Sequence, residues 1–421
     1  MNKESIKYFV KKNAGFFANF TNLGFIQVSN ILIQLILFPV IIRVVGLESF
    51  GYVAVANAMA GFIGLFINYG TNLSGIKDVA LQKNNPSQLS ALFFGIYYTR
   101  IALFVPVILI FVALYLFQYN QFLYILFATP IILAEVVNPL FFFNGIEKLT
   151  LYNTANLLAK LGSAFLIIFF IDENAPAWLV NFYLGITNFF FYGCLAIYAI
   201  NKYKLPIPLY RISSVILIVK DNFYLVCNNL SVHLQQSFFL FLLPVVSTPM
   251  IIGAYSLADK VISSFRILLV AFSSALYPKT ALLYQEKKES WPLFKKRINR
   301  LLFFTFLLIA LFVFWGNEWI VFLFTGSKNI LAANYIRSIA WVPLLAAMNS
   351  LNIIELLIKN QYRAIFYSSI SLLIFILIFA FVFAFINQSE FFGYYLVLAE
   401  AAAIPISLFF IRKNIPSLPK N

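Results

Sequence analysis

Charge is scarce in this 421-residue chain: Asp, Glu, Lys and Arg make up 11% of it, against 62% hydrophobic residues. A water-soluble core of that size needs a far more charged surface, which excludes a soluble globular protein. Acidic residues are scarcer still, 15 against 30 basic ones. There are two cysteines, Cys194 and Cys227, both inside apolar runs; they exclude a disulfide framework and read as small apolar fillers. The single histidine, His233, stands among amides and reads as a hydrogen-bonded structural residue more readily than as a proton shuttle. No HExxH, CxxC, Walker loop, GxSxG or paired carboxylates on an accessible loop occur, so an enzyme reading has no constellation to stand on.

What the chain does have is apolar runs long enough to cross a bilayer, about 20 residues each. Twelve can be read, near 20–42, 51–71, 91–117, 121–144, 150–171, 178–200, 222–246, 250–277, 299–324, 335–357, 363–386 and 391–411. Connectors are short and leave no room for a soluble catalytic domain, so any function has to live inside the helix bundle. The first run carries no small-residue cleavage site and reads as a retained helix. Most Lys and Arg fall in alternate connectors, among them Lys77, Lys83, Lys148, Lys202, Lys204, Lys287, Lys288, Lys359 and Arg412, whereas Arg43 and Lys328 fall in the others. The positive-inside rule then predicts an inner-membrane protein with both termini cytoplasmic. The net charge of +15 is mainly this topology signal, with anionic lipid as a contact; nucleic acid is not an expected partner.

The basic connector 201–221, with Pro206 and Pro208, splits the chain near its middle. The expectation is an N-terminal six-helix half, 1–200, and a C-terminal one, 222–421. Gln27, Asn30 and Gln34 in the first helix repeat as Asn228, Ser231 and Gln235 in the seventh, and each stripe is followed by a proline, Pro39 or Pro244. In the next helix Gly51, Ala56 and Asn57 match Gly253, Ala258 and Asp259 at a similar shift. A recurring shift points to parallel repeats, an all-α polytopic fold of about twelve helices in two halves around a central cavity. A polar stripe in a membrane helix faces a neighbouring helix or a wet cavity. Helix 7, with Asn228, Asn229, Ser231, His233, Gln235 and Gln236, is too polar around its circumference to face lipid.

Charges at membrane depth cost roughly 2.5–3.5 kcal/mol each on the insertion scale and so face the protein interior or water. The candidates are Arg100, Glu135, Lys160, Asp259, Lys260, Arg266 and Glu400; Arg337 and Glu355 lie nearer helix ends, where snorkelling explains them. Lys160 continues a stripe with Asn153 and Asn156. Structural ion pairs such as Arg100 with Glu135 are the bland alternative. Arg100, Lys160, Lys260 and Arg266 nevertheless outnumber Glu135 and Asp259, and surplus cations in a bundle interior call for an anion.

Val45-Gly46-Leu47-Glu48-Ser49-Phe50-Gly51-Tyr52 resembles the G-L-x-x-F-G signature of the O-antigen (Wzx-type) branch of the polysaccharide transporter family, within the MOP flippase superfamily. Asn68-Tyr69-Gly70 to Ala80, Asn138-Pro139 through Gly145-Ile146-Glu147-Lys148, Gly253 to Lys260, and Tyr277-Pro278 are similar in the same order. Phe141 to Phe143 and Asn144 depart from the pattern, and the C-terminal third carries few of its marks. The resemblance implies a flippase, without ATP or cofactor, moving an undecaprenyl-pyrophosphate-linked oligosaccharide by alternating access coupled to a proton or sodium gradient. The residues read above fit that job: Arg100, Lys160, Lys260 and Arg266 as the cations for the pyrophosphate, Asp259 or Glu135 as the ion-coupling carboxylate, and Gln27, Asn30, Gln34, Asn153, Asn156, Asn228, Ser231 and Gln235 as the lining of the cavity. Polysaccharide polymerase and chain-length proteins are the implied partners. A multidrug exporter of the same superfamily is expected to have an acidic cavity, a lipid-linked-sugar polymerase a long periplasmic loop; a non-transporting scaffold is the third alternative.

Overall fold

A computed structural model describes residue 33 and residues 35–172, 174–208, 212–386 and 388–413, without the side chains of residues 274, 275 and 278. Within these the regular structure is helical throughout. The longer elements, in chain order, are α1 (Leu35–Val45), α2 (Leu47–Asn68), α3 (Thr71–Gln82), α4 (Pro86–Leu116), α5 (Phe122–Leu126), α6 (Thr129–Val137), α7 (Leu140–Gly145), α8 (Leu149–Phe170) and α9 (Leu179–Lys202). They continue with α10 (Ile212–Val246), α11 (Pro249–Glu286), α12 (Trp291–Trp315), α13 (Asn317–Thr325), α14 (Ile330–Ile339), α15 (Val342–Ile358), α16 (Tyr362–Ile386) and α17 (Tyr394–Lys413).

Among the described residues ten stretches are long and apolar enough to cross a membrane, and each overlaps an expected span, so this is a multi-pass membrane protein. Of the two other expected spans, 20–42 falls mostly outside the described residues. The other, 250–277, lies in α11, a helix of 38 residues whose Asp259, Lys260 and Arg266 dilute its apolar character. The ninth span is displaced: α12 starts at Trp291 and ends at Trp315, with Gly316 separating it from α13.

Local chemistry sets several helix ends. The Asn85 side chain accepts from the Gln88 amide, with Pro86 in the first turn of α4, so a polar cap and a residue lacking the N–H open the helix together. Asn329 caps α14 in the same way through the Ala332 amide. Gly326, at φ 72°, closes α13 in the left-handed conformation, which glycine adopts without steric penalty.

The chain forms two compact units. The first contains Ile63–Phe169 and Asn181–Val226; the second contains Leu35–Phe62, Phe170–Val180 and the chain from Cys227. In the first, Phe93, Phe141, Phe142 and Phe143 are fully buried and meet in tilted and edge-to-face contacts. The Ser90 hydroxyl donates to the Pro206 carbonyl and the Tyr98 hydroxyl to that of Pro208 at 3.3 Å, so the connector after α9 is held against α4.

In the second unit α15 packs against α11, α12, α16 and α17. Phe239 lies between Tyr255, Phe392 and Tyr395. Here α2 and α11 cross backbone to backbone. A Cβ on Gly51 would stand 2.6 Å from the Gly253 nitrogen, and one on Gly253 would stand 2.1 Å from the Leu47 carbonyl oxygen. The two glycines that the expected repeat pairs are thus two whose backbones meet.

Candidate functional site

Arg100 is the most deeply buried cation among the described residues of the first unit, at 0% exposure. Its Nε and Nη2 donate to Thr71 Oγ1 at 3.1 and 2.9 Å, and Nη2 donates to Asn72 Oδ1 at 3.0 Å. Nη1 donates to the carbonyls of Glu135 and Asn138 at 3.2 and 2.6 Å. A guanidinium carries five N–H donors, and here each has a partner. The reason is local: the Glu135 carbonyl would ordinarily accept from the amide four residues on, but that residue is Pro139, which has no N–H. The helix break between α6 and α7 leaves carbonyls that Arg100 satisfies, with its guanidinium 5.3 Å from the Phe141 ring centre.

The expectation that Arg100 binds pyrophosphate is therefore revised: in this structure it has no donor left for a phosphate. Its expected alternative, a carboxylate pair with Glu135, is not formed either. The Glu135 carboxylate accepts from the amides of Asn68 and Asn138, all at 3.3 Å.

The stripe on α8 is divided. Tyr152 donates to the Tyr192 hydroxyl, which donates to Asn156 Oδ1, each at 3.1 Å. Neither amide atom of Asn153 has a partner among the described residues, although both are buried. Lys160 is half-buried on the same helix.

In the second unit, a cavity of about 330 Å³ lies between α10, α11, α15, α16 and α17. Among the expected residues it gathers Asn228, Gln235 and Arg266. Ser231 is instead buried with its hydroxyl on the Cys227 carbonyl at 2.7 Å. Gln27, Asn30 and Gln34 lie outside the described residues. Gln235 donates to the Ser369 carbonyl at 2.8 Å. Lys260 rests its ammonium over the Phe38 ring, 5.5 Å from the centroid; Asp259 interacts electrostatically with Lys260 and Arg266. Neither Asp259 nor Lys260 lines the cavity. His233 is stacked near Phe241 and tilted against Phe62, the surroundings of a packing residue.

Arg266 differs from Arg100. Among the described residues its hydrogen bond is a single one, Nη2 to Glu400 Oε1 at 2.9 Å, with the two side chains 15% and 22% exposed. Glu400 also lines an adjoining, mainly apolar cavity of about 500 Å³ that includes Leu269, Val270, Ile354 and Leu357. The sequence reading left Gln236, Asn349, Ser368, Ser369 and Glu400 out of the site. The Ser368-Ser369 pair interrupting an apolar span was the available signal.

A polar network continues from the wall. Asn349 Oδ1 accepts from Ser407 and Asn352 at 2.5 and 3.2 Å. Lys295 donates to Asn352 at 2.8 Å and to Glu355 at 2.7 Å, and Lys359 donates to the other Glu355 oxygen at 2.5 Å. Glu355 is thus no snorkelling residue but a buried clamp on two lysines, brought within reach because α12 begins earlier than expected. Arg337, at the end of α14, lies over the Phe314 ring at 4.6 Å.

Comparison with known proteins bears on family and fold. An Escherichia coli K12 protein named "Putative O-antigen transporter" is 22% identical over 82% of this chain and 84% of its own length. A Shigella dysenteriae protein of the same name is 22% identical over 77% and 82%. Among solved structures, an inward-facing multidrug resistance MATE family transporter of the MOP superfamily superposes with a TM-score of 0.73, over 91% of this chain and 94% of that one at 14% identity. A MATE protein in a bent conformation gives 0.61 over 94% of each chain at 14% identity. Its fold is thus like that of these MATE transporters, and residues 16–283 match the family described as "Polysaccharide biosynthesis protein", to which the chain belongs.

Proposed function

We propose that this chain is a flippase that carries an undecaprenyl-pyrophosphate-linked oligosaccharide, an O-antigen or similar repeat unit, across the bacterial inner membrane. The observation that carries the reading is Arg266: a guanidinium at membrane depth, on the wall of a polar cavity, with a single donor engaged among the described residues. A planar fork of N–H groups matches phosphate oxygens in geometry and charge. A cavity near the lower end of the usual ligand range of about 300–1,000 Å³ suits a headgroup rather than a whole glycan. The adjoining apolar cavity gives the first prenyl units a place next to it. The names of the two curated relatives support the glycan class.

Transport in this reading is alternating access by two six-helix halves, 1–200 and 222–421, coupled to a proton or sodium ion at Asp259 or Glu135 and needing no other cofactor. Lys160 and Lys260 supply further positive potential along the route, and polysaccharide polymerase and chain-length proteins receive the product. Arg266→Gln is expected to lower surface glycan at least tenfold in a strain lacking the native gene, with the protein's membrane abundance unchanged. Normal glycan in that strain would overturn the anion-site reading.

Orientation has its own test. Reporter fusions at Lys83, Lys204 and Lys288 are expected to report cytoplasm, and those at Gln118 and Gln388 periplasm, because the Lys/Arg bias sets topology. A periplasmic signal at Lys204 would break the division into six and six.

A further inference from the structure

Arg266 and Glu400 are the charged residues lining the 330 Å³ cavity; the polar remainder of the wall, Asn228, Gln235, Gln236, Asn349, Ser368 and Ser369, is neutral. With their ion pair closed at 2.9 Å, the wall carries no net charge. An anionic group entering it meets a guanidinium already engaged, with a carboxylate of its own sign beside it. A phosphate that takes the remaining donors of Arg266 comes to lie beside the Glu400 carboxylate on the same guanidinium, in a wall where the two side chains are only 15% and 22% exposed and like charges repel.

Glu400 has somewhere else to go. It also lines the adjoining cavity, where Asn349, Ser350, Ser273 and Tyr277 supply amide and hydroxyl groups. Rotation of one side chain therefore moves the carboxylate from Arg266 to the neighbouring cavity, and rotation back closes the pair again.

Building on the reading of Arg266 as the phosphate anchor, we infer that Glu400 is an internal competitor for the substrate's anion. It holds Arg266 in the empty cavity, yields it to the incoming phosphate, and recaptures it to expel the phosphate. A guanidinium fork without a competitor holds a pyrophosphate more tightly through charge-assisted hydrogen bonds. The competitor trades affinity for release.

The test is binding of farnesyl pyrophosphate to the purified full-length protein in nanodiscs, followed by calorimetry, with farnesol as the uncharged control. Glu400→Gln keeps the side chain's size and a hydrogen-bond acceptor but removes the competing charge. It is expected to tighten binding of the pyrophosphate at least tenfold and to leave farnesol unchanged, while lowering export through slow release. Equal or weaker pyrophosphate binding by Glu400→Gln, with Arg266→Gln unable to bind, overturns the competitor and leaves the anchor standing. Wild-type binding by Arg266→Gln overturns the anchor and the competitor with it. Should Glu400→Gln not accumulate, Glu400→Asp, which draws the carboxylate back by one methylene, is expected to tighten binding at least threefold; no tightening there overturns the inference equally.

Discussion

Arg100→Ala is expected to empty the membrane of this protein, with abundance falling at least tenfold by immunoblot. The substitution removes the partner of Thr71, Asn72 and the carbonyls of Glu135 and Asn138 at once, in a place no water reaches. Unsatisfied polar groups at membrane depth cost several kcal/mol each, and breaking a buried charge network costs about 3–5 kcal/mol. Total stability is only about 5–15 kcal/mol. Arg100→Lys is expected to restore little, because one ammonium cannot span acceptors on α3 and on both sides of the α6–α7 break. Residual protein should also melt earlier in detergent. Normal abundance of Arg100→Ala with export lost would return this residue to the anion site.

Gly253→Ala is the second change expected to act strongly. Its new Cβ would stand 2.1 Å from the Leu47 carbonyl oxygen and 3.1 Å from Leu47 Cγ. The nearest atom is backbone, so no rotamer change makes room; α2 and α11 have to separate. Overpacking costs about 1–3 kcal/mol where side chains can adjust, and occasionally more. Small residues where membrane helices cross closely are what allow such contact. The expected result is a lower melting temperature in detergent, with Gly253→Val absent from membranes. An unchanged melting temperature for Gly253→Ala would mean that the crossing is looser than the structure has it.

The contrast between Arg100 and Arg266 marks how far the sequence could be read. Ten spans coincide with the apolar runs because bilayer thickness and backbone satisfaction impose them segment by segment. Asn228, Gln235 and Arg266 reach one cavity because helical spacing aligns them and lipid excludes them. Arg100 had the same standing in the sequence as Arg266: one basic residue in an apolar run. What separates the two is who accepts from each, and two of Arg100's acceptors are main-chain carbonyls, which no residue type announces. Pro139 was the one written hint, since it deprives the Glu135 carbonyl of its helical donor. Glu355 was misread for a related reason. Its partner Lys295 stands 60 residues earlier, in a helix whose start the apolar run did not reveal, because α12 opens on a basic turn.

The Arg266–Glu400 pair joins residues 134 positions apart, and Glu400 lies in α17. Chains grow at about 5–20 residues per second, so Arg266 is made about 7–27 s before its counter-ion. For that interval α11 holds an arginine at membrane depth whose final partner does not yet exist, with Asp259, already made, as the nearby opposite charge. A helix so burdened inserts at a cost of roughly 2.5–3.5 kcal/mol per charge. It gains its full compensation when α17 arrives. Assembly of the second unit thus waits on α17, and a chain cut short before Glu400 carries an uncompensated arginine that marks it for the quality-control proteases of the membrane.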